Sequence, residues 1–196
     1  MIRIKIEKDY LALLTQHQLT QYKQRMCTRA GEMLDSDARR DIQKLRLGDE
    51  NFFLKRTKSE KPSSAIESYL SGRKAHSKPY KEMLQINFLR THGFDTAEVV
   101  AAGEELRMGI PVGGCIMTRE VEGEELTLRY ARANSSERAL LMAHLGKLLA
   151  KLHCHGFFLS VRLKDIFVRE ETDRNLAFVL IDREARNPAP KTFSTR

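Results

Sequence analysis

The sequence predicts an α+β protein in two lobes, with a short antiparallel sheet in the first lobe and a reduced, mainly helical second lobe. Short apolar runs separated by turn residues recur from Gly31 to Thr57 and from Ala97 to Val121, a pattern typical of antiparallel strands. A helical pattern from Pro79 to Gly93 separates these two regions. A longer amphipathic helix, ending at Cys154, precedes two short apolar runs that predict a last pair of strands.

Three segments are expected along the chain: an N-terminal arm at residues 1–30, a first lobe at 31–121 and a second lobe at 122–196. Within the arm, Ile2 to Ile6 predicts a strand, and a weak apolar stripe predicts a helix from Asp9 to about Met26. The sequence leaves open whether this arm folds onto the domain or reaches a partner. Few residues follow Asp182, so we expect a very small second lobe or a truncated one.

The first lobe contains a predicted hairpin with a lysine at its end. Gly48-Asp49-Glu50 is a turn signal between the run DIQKLRL and the apolar run NFFL, which Lys55 closely follows. A lysine beyond a buried run can hold its ammonium at a cleft while its stem packs. The alternative is a surface lysine that begins a loop. No GxGxxG or GxxxxGK[ST] motif occurs, and the nearest equivalent of a phosphate loop is the turn at 36–40, with Arg39 and Arg40.

The helix predicted to begin at Pro79 places Glu82 within its first turn and ends at Gly93. Glu82 there is either a favourable partner of the helix dipole or a partner for Lys55. Strands from Ala97 to Gly103 and from Ile110 to Val121 follow, with a predicted turn from Glu104 to Gly109 between them.

The second lobe combines a capped helix with two acidic residues at strand ends. Asn134, with Glu137 three residues on, predicts the start of the long helix. Asp165 stands just before the apolar run Ile166–Val168, and Asp182 stands just after the run 177–181. Two carboxylates so placed are typical of a phosphotransferase that holds a metal ion against a nucleotide triphosphate.

The composition indicates which kinds of partner the protein binds and in which compartment it lies. The chain has 34 Lys plus Arg and 26 Asp plus Glu, hence a net charge of +8, which favours nucleotides, phosphorylated sugars or an anionic membrane surface. Cys27, Cys115 and Cys154 are odd in number and widely spaced, which argues against a disulfide scaffold or a zinc site. No signal peptide or membrane span is recognisable, so we expect a cytoplasmic protein, with peripheral contact to the inner membrane as a further expectation. Low aromatic content without basic-aromatic interleaving argues against nucleic-acid binding.

Taken together, these segments resemble the lipopolysaccharide core kinases of Gram-negative bacteria, which phosphorylate heptose or Kdo sugars and share the protein-kinase-like fold. The resemblance runs from about Gly31 to Arg186. It is carried, in order, by FFLKR (52–56), KEMLQINFLRTHGF and EVVAAGE (81–104), MTREVEG (117–123), LGKLLAKLHCHGFF (145–158), LKDIFV (163–168) and LIDREAR (180–186).

The resemblance implies ATP and Mg²⁺ as cofactors and gives roles to specific residues. Lys55 would bind the nucleotide phosphates and pair with Glu82, while Asp165 and Asp182 would hold Mg²⁺. The adenine would be held by backbone groups along the stretch that includes Met117, Arg119 and Val121. The usual catalytic aspartate position is taken by Ser160, which cannot act as an effective base near neutral pH.

Two functions follow from the resemblance. The first is an ATP-dependent phosphotransferase that acts on a sugar hydroxyl of an anionic glycolipid such as lipopolysaccharide core, with Arg39, Arg40 and Arg162 meeting the substrate. The second is a pseudokinase, which keeps the fold as a nucleotide-binding or scaffold module without phosphotransfer. Ser160 and the missing glycine-rich loop favour the second, although a loose transition state depends mostly on positioning and metal electrostatics.

Overall fold

The computed structural model describes residues 1–60, 74–157, 162–171 and 176–181 of the chain. Contacts divide the chain into two compact units, each with its own apolar core. The first unit comprises Met1–Asn87 and Glu98–Glu120, and the second comprises Phe88–Ala97 and Val121–Arg196.

The first unit is built on an antiparallel sheet of six strands among the described residues. The elements in chain order are β1 (Ile2–Ile6), a 3₁₀ turn (Lys8–Tyr10), α1 (Leu11–Gln16), α2 (Tyr22–Cys27), β2 (Glu32–Ser36), β3 (Arg40–Leu47), β4 (Glu50–Thr57), α3 (Lys78–Thr91), β5 (Val99–Arg107) and β6 (Ile110–Arg119). The residues of α3 from Phe88 on are counted with the second unit. Neighbouring strands follow the order β1-β5-β6-β4-β3-β2. The predicted hairpin at 41–54 is therefore confirmed as β3 and β4, which pair along their full length.

Apolar side chains cover both faces of this sheet, because successive residues of a strand point to opposite faces. One face packs against α1 and α2 through a cluster that includes Leu14, Leu19, Tyr22, Leu45, Phe52, Leu54 and Met117. The other packs against α3 through Met83, Ile86, Val99, Ala102 and Ile116. The sheet is thus the middle layer of the first unit, with helices on both sides.

The N-terminal residues belong to the first unit. β1 is the edge strand of the sheet and pairs with β5 from Ile2 opposite Glu105 to Ile6 opposite Ala101. The single helix predicted from Asp9 to about Met26 is wrong in extent, because this stretch forms a 3₁₀ turn and two short helices. Gln18 has a positive φ of 55°, which a continuing right-handed helix does not allow.

The connection between β5 and β6 also differs from the prediction. Glu104, expected to begin a turn, lies inside β5, which continues to Arg107. The turn is the pair Met108 and Gly109, with φ of 49° and 81°, the geometry of a tight hairpin turn. The apolar pattern ends at Gly103, so the sequence does not indicate that the strand continues through a polar second half.

Helix α3 agrees with its prediction at both ends. It begins at Lys78, one residue before Pro79, and ends at Thr91. Gly93 has a φ of 71°, the left-handed conformation common just beyond a helix C-terminus.

The second unit combines two helices with a small antiparallel sheet. Its elements are β7 (Glu124–Glu125), α4 (Leu126–Arg132), α5 (Ser135–Cys154), a 3₁₀ turn (Leu163–Asp165), β8 (Ile166–Glu170) and β9 (Leu176–Leu180). The strands follow the order β7-β8-β9, and β8 pairs with β9 from Ile166 opposite Leu180 to Glu170 opposite Leu176. The two predicted strands are therefore confirmed, whereas α4 had no prediction.

Helix α5 begins as its sequence predicts. Asn134 adopts an extended conformation, and its side chain accepts a hydrogen bond from the amide of Glu137 at 3.0 Å. Leu141 and Leu152 are buried, whereas Leu145, Leu148 and Leu149 on the same apolar stripe are partly buried. The apolar stripe of α5 thus fits its core less completely than a simple helical wheel suggests.

The three cysteines are free thiols, which agrees with the absence of a disulfide scaffold. Cys115 is fully buried in β6, and burial raises the pKa of its thiol. Cys154 is exposed at the end of α5. Among the described residues, no helix is both long and apolar enough to cross a lipid bilayer.

A buried ionic network ties α2 to the sheet on the face opposite α3. The Arg56 guanidinium of β4 donates to the carboxylate of Asp41, to the carbonyl of Thr28 at 2.6 Å and to Gln43 at 3.1 Å. Asp41 is nearly fully buried and also lies 2.8 Å from the ammonium of Lys58. A charge this buried is tolerable because each partner satisfies the others.

Replacing Arg56 by Met should therefore lower the free energy of unfolding by roughly 3 kcal/mol, because Asp41 would lose its principal buried partner. Urea denaturation of the full chain measures this change. Arg46→Met is the matched control, since Arg46 is 74% exposed and lies 4.0 Å from Asp49. Equal, small losses in both variants would show that the network contributes nothing specific.

Candidate active site

Lys55 and Glu82 form an ion pair within the first unit. The ammonium of Lys55 donates to Oε1 of Glu82 at 2.8 Å, and the two side chains are 21% and 12% exposed. Lys55 lies inside β4, so the alternative of a surface lysine at the start of a loop is wrong. Glu82 follows the first turn of α3 and contacts Lys55, which favours the second of its two predicted roles.

Strand alternation explains why Lys55 faces α3. Its neighbours in β4, Leu54 and Arg56, point into the other face, where α1 and α2 pack. Lys55 pairs across the sheet with Ile116, which packs beneath α3. Met83, next to Glu82, lies in that same apolar cluster. The register of one strand and the rotation of one helix therefore bring the two charges together.

The ion pair holds the ammonium group of Lys55 in a mostly buried position. A lysine ammonium is a point charge with three donors, so it can serve several acceptors at once, and phosphate oxygens are acceptors of this kind. The value of such a pair is in geometry more than in stability, because desolvation offsets much of the attraction between the two charges. The arrangement suits the binding of an anion with several oxygens.

The turn predicted to replace a phosphate loop joins β2 to β3. Oδ1 of Asp37 accepts the amides of Arg39 at 2.6 Å and Arg40 at 2.7 Å, and these bonds hold the pKa of Asp37 below its usual value. The side chain of Arg40 also lies 3.5 Å from Asp37. Arg39 and Arg40 are exposed at the tip of a hairpin that the Asp37 side chain closes.

The predicted adenine-binding stretch is the end of β6 and the residues after it. Met117 is fully buried in the core, so its side chain has a packing role. The amide of Arg119 donates to the carbonyl of Glu98, and its guanidinium pairs with Glu50 at 2.5 Å and with Glu98 at 3.8 Å. Val121, the next predicted residue, is the first residue of the second segment of the second unit.

Glu120 anchors the same stretch, although sequence reasoning gave it no role. Its carboxylate accepts from the ammonium of Lys44 at 2.6 Å and from the side-chain amide of Asn51 at 2.7 Å, and its amide donates to the carbonyl of Asn51. The bond from Lys44 lowers the pKa of Glu120, and Asn51 adds to this effect against partial burial. No local sequence signal identifies these partners, because they come from β3 and β4.

Asp165 lies within the second unit at the end of the 3₁₀ turn that precedes β8. Asp165 is buried, and its Oδ2 accepts a hydrogen bond from Nε of Arg162 at 2.6 Å. The amide of Ile181 donates to the carbonyl of Asp165 at 2.9 Å, so the chain just before Asp182 lies beside Asp165. Asp182 itself and Ser160 lie outside the described residues.

The residues around Asp165 determine whether this part of the chain could bind a metal ion. Within the ranges that the structure describes, no cluster of three or more His, Cys, Asp or Glu residues could hold a metal. Asp165 offers a carboxylate, the ligand type that Mg²⁺ prefers, but one oxygen is committed to Arg162. The described residues thus provide one carboxylate of the two-carboxylate site that the sequence predicts.

Comparison with known proteins identifies the fold. No protein-family model and no curated protein matches the sequence. Among solved structures, the chain is similar to WaaP in complex with acyl carrier protein, with a TM-score of 0.66 at 13% identity, over 92% of this chain and 70% of the WaaP chain. WaaP is a lipopolysaccharide core kinase. The predicted two-lobed, kinase-like α+β fold is confirmed, with an antiparallel N-terminal sheet and a reduced second lobe.

Glu120→Gln should lower the free energy of unfolding at pH 7 by up to about 1 kcal/mol, a modest figure because the side chain is 35% exposed. The pKa of Glu120 is lower in the folded state than the ordinary value of 4.5. Its contribution is therefore present above that value and is lost as the pH falls through the lowered pKa.

Urea denaturation of both proteins at pH 7 and near pH 3 measures this dependence, with Asp49→Asn as an exposed control. A difference between wild type and Glu120→Gln that stays constant across this range would contradict the assignment.

Proposed function

We propose that the chain is an ATP-dependent phosphotransferase that transfers a phosphoryl group to a sugar hydroxyl, with lipopolysaccharide core or a related anionic glycolipid as acceptor. The observation that carries this proposal is the Lys55–Glu82 ion pair, seated between a sheet and a helix as a phosphate-binding lysine requires. The likeness of the fold to WaaP supports the class of reaction.

In this proposal Lys55 binds phosphate oxygens and Glu82 holds the ammonium in place. Asp165 and Asp182 hold Mg²⁺, which would neutralise charge that develops on the transferred phosphoryl group. The backbone register supports the convergence of the two aspartates, because the residue before Asp182 is hydrogen bonded to Asp165. Arg162 would balance the charge of Asp165 in the absence of metal.

The adenine contact is assigned to backbone groups at the end of β6. The amides of Arg119 and Glu120 already donate to Glu98 and Asn51, so the donor in this proposal is the amide of Val121. The ionic contacts of Arg119 and Glu120 would keep this stretch in a fixed conformation. Met117 would contribute by packing and through its backbone.

The alternative is a pseudokinase that binds nucleotide without transferring phosphate. Ser160 in place of the usual catalytic aspartate favours it, as does a β2–β3 turn without glycine. Phosphoryl transfer through a loose transition state needs positioning and charge stabilisation more than a strong base, so Ser160 lowers the rate without forbidding the reaction. Only turnover separates the two functions.

The acceptor assignment rests on the resemblance to lipopolysaccharide core kinases and on the net charge of +8. The proposal gives three described cations to an anionic substrate: exposed Arg39 and Arg40 in the β2–β3 turn, and exposed Arg162, whose guanidinium also pairs with Asp165. Peripheral contact with an anionic membrane would bring such an acceptor to the protein.

Lys55→Met should raise the Kd for Mg·ATP about tenfold or more, because a charge-assisted hydrogen bond to phosphate is lost. Isothermal titration calorimetry on the full chain measures it. Lys23→Met, an exposed lysine on α2, is the matched control with the same loss of charge. Unchanged affinity in Lys55→Met would contradict a phosphate-binding role for the lysine.

Asp182→Asn should abolish the Mg²⁺-dependent rise in Tm that ATP produces in the wild-type chain, since the metal would lose a charged ligand. Glu171→Gln, an exposed residue beside β8, is the control. Turnover of Mg·ATP by the wild-type chain, with lipopolysaccharide core added, then decides the class. A Tm shift without turnover favours the pseudokinase, and no Mg²⁺-dependent shift in the wild-type chain would remove the metal assignment.

A further inference from the structure

Glu104 of β5 is a fully buried carboxylate that binds three residues from two segments, β1 and the residues before α3. Oε1 lies 3.1 Å from a guanidinium nitrogen of Arg3 and 2.8 Å from Nδ1 of His76, and Oε2 accepts the amide of Ser77 at 2.8 Å. Burial alone would raise the pKa of Glu104, but the bonds from His76, Ser77 and Arg3 outweigh it and lower that pKa. Such a residue is ionised and held in one orientation.

The segment that Glu104 binds lies directly on the sheet. Ser77 is fully buried, and Gly114 of β6 pairs across from Glu104. A Cβ atom at Gly114 would lie 2.2 Å from Oγ of Ser77, which is closer than any real contact. The absence of a side chain at position 114 therefore lets Ser77 reach the sheet, where Glu104 binds its amide.

The same serine immediately precedes α3 and caps its N-terminus. Its carbonyl accepts the amide of Lys81 at 2.9 Å, and its hydroxyl lies 3.4 Å from the amide of Tyr80, the contacts of a helix N-cap. The ring of His76 stacks on that of Tyr80 at 5.0 Å. Glu82 follows Ser77 by five residues, about 7.5 Å of helix rise, so it moves with this seat.

Apolar packing alone does not fix this helix in one position. Met83 and Ile86 contact the sheet, but apolar contacts are non-directional and tolerate small slides and rotations. The hydrogen bonds at Glu104 are directional, because they weaken steeply with angle and distance. Glu104 thus supplies the constraint that an ion pair 2.8 Å long requires.

We infer that Glu104 is a positioning residue for the Lys55–Glu82 pair and acts through the seat of α3 on the sheet. Arg3 joins β1 to the same carboxylate, so the N-terminal strand contributes to the position of Glu82. The consequence for nucleotide binding rests on the proposed function, whereas the positioning itself can be measured without nucleotide.

The test is the reactivity of the Lys55 amine toward a small acylating reagent, followed by mass spectrometry of the intact, folded chain. Glu82→Gln should raise the labelling rate of Lys55, and Glu104→Gln should raise it by at least about threefold, as expected for residues that interact through a shared element. The control is Glu105→Gln, which makes the same charge change at the next residue, on the opposite face of β5, and should leave the rate unchanged. Its side chain is 34% exposed and pairs with Arg107.

A double variant separates positioning from general loosening. If Glu104 acts through Glu82, adding Glu104→Gln to Glu82→Gln should raise the Lys55 rate no further. An additive increase, or an unchanged rate in a folded Glu104→Gln chain, overturns the inference. If Glu104→Gln does not fold, His76→Phe keeps the ring that stacks on Tyr80, removes one donor to Glu104, and is judged by the same increase.

Nucleotide titration of the same variants distinguishes this inference from the proposed function. A wild-type chain that does not bind Mg·ATP refutes the proposed function and leaves the labelling result intact. A chain that binds Mg·ATP with equal affinity in wild type and Glu104→Gln, with equal labelling of Lys55, refutes the positioning role alone.

Discussion

The contact of Lys55 with Glu82 depends on a strand and a helix that are held in register without being covalently close. β4 presents Lys55 to the α3 face because its alternate residues serve the opposite core. α3 presents Glu82 because Met83 and Ile86 fill the sheet surface beneath it. A one-residue slip of β4 would turn Lys55 into the α1–α2 core. The register that buries the apolar residues of the strand therefore also determines where the charge of Lys55 lies.

Ionic contacts in the first unit specify geometry at places where apolar packing would allow several arrangements. Arg56 binds α2 to one face of the sheet, Glu104 seats α3 on the other, and Glu120 fixes the end of β6. Each carboxylate or guanidinium is satisfied by partners from separate segments, which is the condition under which a buried charge is tolerated. Such contacts add little net stability but penalise alternatives strongly, because displacement leaves a buried charge unpaired.

The sequence predicts the local elements and the family resemblance, but it does not predict contacts between residues that are far apart in the chain. Helix α3, the cap at Asn134 and the β3–β4 hairpin follow from short patterns, and the structure confirms them. The residues alone leave two roles open for Glu82, and the family resemblance selects its pairing with Lys55. The sequence predicts a turn at Glu104 because a polar stretch is typical of a turn. The partners that hold Glu104 inside a strand lie in β1 and before α3. The break at Gln18 has no sequence signal, since glutamine is an ordinary helix former.

The electrostatics around Asp165 bear on whether the chain can use a metal. A single carboxylate beside Arg162 is already neutralised, so it would attract Mg²⁺ weakly. A second carboxylate from Asp182 would make the local charge negative again, with one oxygen of Asp165 still held by the guanidinium. The arginine would then orient one ligand and the second aspartate would supply the net charge that a hard cation requires. The loose transition state of phosphoryl transfer depends on such charge more than on a base. In the proposed phosphotransferase, loss of Asp182 would therefore reduce activity more than the serine at position 160 does.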